Sequence, residues 1–91
     1  MHNSSVIRAR YILSLLRVAR HADANVAMRL TNALASEYRD PDSPAELLPF
    51  ENDAIEAVKA LALSLSSNEK TKSAFWERAI AAATEWLNAA N

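Results

Sequence analysis

The sequence predicts an all-α fold, an antiparallel four-helix bundle-like domain made of two helical hairpins. Three observations predict it. Apolar residues recur at i, i+3, i+4 and i+7 through most of the chain, while the period-two alternation of a half-buried strand is absent. Three prolines, Pro41, Pro44 and Pro49, cluster in one stretch and forbid a continuous helix there. Glycine is missing altogether, so every turn must be made by Asn, Asp, Ser or Pro.

The first helix is expected over residues 5–20, with Ser5 as N-cap. On its wheel Arg10, Ser14, Arg17 and His21 form a narrow polar stripe, and Ala9, Ile12, Leu16 and Ala19 oppose it. Tyr11, Leu15 and Val18 widen the apolar arc to roughly 200°, more than one core-facing stripe requires. That surplus edge is a candidate partner or dimer face, the competing reading being that the proline linker folds over it with Leu47, Leu48 and Phe50. A turn at His21-Ala22-Asp23, with Asp23 as cap, leads into a second helix over 24–38. This helix turns Val26, Ala27, Leu30, Ala33, Leu34 and Tyr38 inward and Arg29, Asn32, Ser36 and Arg39 outward.

Residues 39–50 form the long proline-rich linker. Within it Ser43-Pro44-Ala45-Glu46 has the pattern of a capping box with Pro at the first helical position, predicting one helical turn that carries Leu47 and Leu48. The third helix is expected over 51–66, starting between Pro49 and Asp53, with its acidic first turn suited to the helix dipole. It buries Ile55, Val58, Leu61, Ala62 and Leu65 and leaves Leu63 outside. Ser67 or Asn68 caps a fourth helix over 69–89, where Phe75, Ala79, Ala82 and Trp86 form one row and Trp76, Ile80, Ala83 and Leu87 the next. Trp86 is expected to be buried and Trp76 more peripheral. Residues 1–91 are read as a single domain, because a chain of this length supports one core.

Composition narrows the function. Without glycine, phosphate-cradling loops and dinucleotide-binding turns are excluded. Without cysteine there is no thiolate nucleophile, disulfide or thiolate metal site, which suits a cytoplasmic setting. His2 and His21 have no third ligand at metal-binding spacing, the serines read as caps or solvated positions, and Glu51 and Asp53 are assigned to the helix dipole rather than to acid–base work. No catalytic, cofactor or metal site is expected, and no enzyme. No apolar run reaches membrane-spanning length. The acid-free, Arg-rich start shares the composition of a mitochondrial presequence, with Ala22-Asp23-Ala24 as a small-residue cleavage site, although Arg17 interrupts any secretory apolar run.

Charge is unevenly shared. Residues 1–40 hold six arginines against three carboxylates, a net +3, and the rest holds eight carboxylates against four cations, a net −4. Two charges are misplaced on their wheels: Arg8 lies in the apolar arc of the first helix and Glu37 on the inner side of the second. In an antiparallel hairpin they meet, giving a candidate structural ion pair. Arg10, Arg17, His21, Arg29 and Arg39 make a candidate basic binding stripe. The resulting expectation is a non-enzymatic protein–protein interaction module, a small inhibitor or regulator of the antitoxin, immunity or phage counter-defence type. It would bind a macromolecular partner stoichiometrically and self-associate as a homodimer. The alternative is a DNA- or RNA-binding regulator that uses the Arg-rich half.

Overall fold

Four α-helices and one short 3-10 turn account for nearly all of the described chain: α1 (Asn3–Arg20), α2 (Ala24–Ala35), the 3-10 turn (Ala45–Leu47), α3 (Leu48–Ser64) and α4 (Glu69–Ala90). The structure is a computed structural model that describes residues 3–36 and 40–91. No strand occurs among the described residues. At 1.5 Å per residue α4 is about 33 Å long. The whole molecule measures 37 Å along its longest axis, so α4 runs nearly its full length.

Each boundary has a local cause. The Asp23 side chain accepts the Val26 N–H and starts α2, as its position predicts. Asn68 does the same for α4 by accepting the Thr71 N–H. The linker turns at Asp40-Pro41-Asp42-Ser43, where the Ser43 N–H bonds the Asp40 carbonyl and the Asp42 N–H bonds Asp40 Oδ1. Asp followed by Pro is the preferred opening of such a turn.

Five expectations need correction. α1 begins at Asn3, so Ser5 is not its cap but a buried residue of its first turn. α2 ends at Ala35, short of residue 38, where Ser36 closes the helix and its hydroxyl donates to the Asn32 carbonyl. The capping box does not form: Pro44 occupies the cap position and no side chain caps the 3-10 turn. α3 starts at Leu48, ahead of the expected range, because Pro49 falls in its first turn, where a missing N–H costs nothing. It also stops earlier than expected, at Ser64.

α1 packs against α2 and α4, and α3 packs against the same two, with α4 making the most extensive contacts. Its buried alanines, Ala79, Ala82 and Ala83, permit close approach on both sides, and the two indoles fill the space between. One continuous core joins all four helices through Leu13, Leu16, Leu34, Val58, Leu61 and Trp86. A second, smaller cluster of Val6, Leu47 and Ala90 fastens the 3-10 turn to the start of α1 and the end of α4. Leu63 stands outside at 85% exposure, as its wheel position requires. On α2 the inward set is amended: Thr31 is buried while Ala33 faces solvent. Trp76, at 7% exposure, is nearly as buried as Trp86 and belongs to the same core cluster.

Candidate functional site

Arg8 and Glu51 organise the inner polar site. Arg8 sits two turns into α1 on the side that meets α4, and its guanidinium lies 5.4 Å from the centroid of the Trp86 ring. Glu51 belongs to the first turn of α3 and is fully buried. Its Oε2 accepts a hydrogen bond from Arg8 Nη1 and another, at 3.0 Å, from the Asp40 N–H of the linker. One carboxylate thereby joins α1, α3 and the linker. Ser43 Oγ lies beside the same carboxylate. Both it and Glu51 Oε1 are buried without a hydrogen-bond partner among the described residues.

Burial pushes the Glu51 carboxyl up, but the neighbouring Ser43 hydroxyl, the Arg8 guanidinium and the Asp40 N–H together outweigh it and hold the group below its ordinary value. A carboxyl whose folded pKa is depressed adds stability that is complete above the ordinary glutamate range, about pH 4 to 5. That stability is lost as pH falls through the lower, folded value. Wild type is therefore expected to lose stability to urea on acidification below about pH 4.5, and Glu51→Gln to lose less over the same window. Parallel losses in the two proteins would assign the acid response to other carboxylates.

Glu37, the partner expected for Arg8, lies outside the described residues, as does Arg39 of the basic stripe. Glu51, assigned from sequence to the helix dipole, is a described partner of Arg8 instead. A signal for it existed: Glu51 lies three and four residues before the buried Ala54 and Ile55, on their side of α3.

The outer face of α1 is of another kind. Tyr11 and Val18 are 55% and 60% exposed, and Ile7, at 67%, extends their row by one turn. Leu15 departs from the expected edge, being half-buried against the main core. Among the described residues the linker does not cover this row, since Leu47 is held against Val6 and Ala90 and Phe50 faces solvent. Arg10, Arg17 and His21 are exposed beside the row, and Arg29 is exposed on α2. Arg20, on the inner side, reaches Glu77 of α4 at 3.8 Å. Sequence reasoning missed Ile7, although its spacing of four from Tyr11 placed it in the same row.

The described surface also carries two clefts. One, of about 340 Å³, lies where the two helical turns meet, between Met28, Leu65 and Trp76, with Arg20 and Lys72 on its rim. Both cations already face glutamates, Glu77 and Glu69. The other, about 270 Å³, is a polar groove between the start of α1 and the turn at Asp40 to Pro44. Among the described residues no three His, Asp or Glu side chains are grouped to hold a metal, and no helix is long and apolar enough to cross a membrane. No family model, curated protein or solved structure matches this chain.

Proposed function

We propose that this protein is a non-enzymatic interaction module that docks the outer row of α1, Ile7, Tyr11 and Val18, onto another protein. The observation that carries this reading is the exposure of three large apolar side chains in a row on one face, left uncovered by the described residues of the linker. Exposed apolar side chains grouped on one face mark interaction sites more often than scattered single residues do. Stoichiometric docking is how a small inhibitor or regulator acts, and a second copy of the chain is one occupant such a row can take. The proposal includes a single cytoplasmic domain of two antiparallel hairpins. That arrangement is supported by the short connections at residues 21–23 and 65–68 and by the packing of α1 on α2 and of α3 on α4.

The nucleic-acid reading is less well supported by the same face. Arg10 and Arg17 flank the apolar row, so a phosphate backbone meeting them would lie along Tyr11 and Val18, which offer it no hydrogen-bond donor except one phenol.

The test is a double variant, Tyr11→Asp with Val18→Asp. Because both side chains are exposed, thermal stability is expected to stay within about 1 kcal/mol of wild type. As immobilised bait the wild type should retain a protein in stoichiometric amount that the variant does not. Equal retention by both baits would overturn the reading, as would tight duplex DNA binding that collapses steeply with added salt.

A further inference from the structure

We infer that the occupant of the α1 face is an acidic amphipathic helix of another protein. This rests on the docking role just proposed and adds the chemistry of the partner. The exposed half of α1 carries two parallel lanes. One is the apolar row from Ile7 to Val18, about 16 Å long at the helical rise. The other is formed by Arg10 and Arg17, two turns and about 10 Å apart.

The chain treats its arginines in two ways. Arg8 and Arg20, toward the bundle, each meet a glutamate, Glu51 and Glu77. Arg10 and Arg17 are exposed and form no ion pair among the described residues. An occupant that complements both lanes needs a ridge of apolar side chains and, along one edge, carboxylates two turns apart. A helix with Leu or Ile at i, i+4 and i+11 and Glu at i+3 and i+10 presents that pattern, and helix-in-groove docking reads such spacings.

A second copy fits less well. α1 contains no Asp or Glu, so pairing two α1 faces leaves Arg10 and Arg17 of both copies without a counter-charge. α3 offers Asp53 and Glu56, but Leu63 is the one large apolar side chain exposed on its middle and last turns, and Lys59 stands among them.

Two fluorescein-labelled peptides as long as α1 serve as probes, sharing a leucine ridge and differing only in a glutamate or a lysine lane. Fluorescence anisotropy should show the glutamate peptide binding one to one and about tenfold tighter than the lysine peptide, a ratio two exposed charge contacts can supply. Arg10→Glu with Arg17→Glu should invert that preference. Absence of binding, equal binding of the two peptides, or an unchanged preference in the charge-reversed variant would overturn the inference. Tighter binding to anionic phosphatidylserine vesicles or to duplex DNA would overturn it as well. The Tyr11→Asp, Val18→Asp variant separates this inference from the docking role. If it loses peptide binding while charge reversal changes nothing, the face docks but its partner is not acidic. If it binds both peptides as wild type does, the docking role itself fails. Sedimentation that shows a dimer abolished by the same variant would assign the face to a second copy instead.

Discussion

Replacing Glu51 by alanine is expected to destabilise the protein by about 3 to 5 kcal/mol, the range for breaking a buried ion pair by removing one partner. For a chain of this size, total stability of roughly 5 to 14 kcal/mol is the norm, so the loss is a large fraction of it. The physical reason is local. Glu51 is fully buried, and its carboxylate supplies a counter-charge for Arg8 and the acceptor for the Asp40 N–H. Without it the linker loses its hydrogen bond to α3 and the guanidinium loses its partner from that helix. Urea unfolding measures the effect. Glu51→Gln, which keeps an acceptor for Asp40, should fall between wild type and alanine. A Glu51→Ala protein as stable as wild type would show that the carboxylate contributes nothing net to the fold.

Trp86→Ala is expected to cost a similar amount, about 3 to 5 kcal/mol, from lost burial and from the cavity left between α1 and α4. Trp86 is 0% exposed and is the largest fully buried side chain, so its neighbours have no solvent-facing route to collapse inward. Its ring also lies beneath Arg8. Loss of the indole therefore removes a cation–π contact along with the packing. Losses at positions 8 and 86 should not add, because the two side chains touch. The measurement is a double-mutant cycle of Arg8→Met and Trp86→Leu by thermal melting. Strict additivity would mean that the guanidinium over the ring is a neutral contact.

The helices were legible because their signals are local. Apolar spacing, Asp23 and Asn68 as caps, and the three prolines each act within a turn or two of the chain, so the elements and most of their inner faces follow from the residues alone. Arg8 was recognised as a charge on an apolar face, and Tyr11 and Val18 as apolar residues that one core does not need. Boundaries at Ser5, Ser36 and Pro49 were misplaced by residues that suit two positions equally well: a serine can cap a helix or sit inside its first turn, and a proline is tolerated at the first helical position as readily as before it.

By itself, the sequence determined an all-helical chain, the identity of its breaks, and the presence on α1 of one lane of arginine and one of surplus apolar side chains. Only the tertiary structure decided which carboxylate reaches Arg8 from α3, and that Leu15 turns into the core while Ile7, Tyr11 and Val18 stay outside. The difference is one of range. Helical periodicity fixes angles around a single axis, whereas Glu51 and Arg8 are 43 residues apart and meet because α4 holds α1 and α3 on either side of it. Linker placement is non-local in the same way. Leu47 could have covered the outer row of α1, but Val6 and Ala90 offer it a closed apolar site at the end of the bundle, and its burial there leaves the row open.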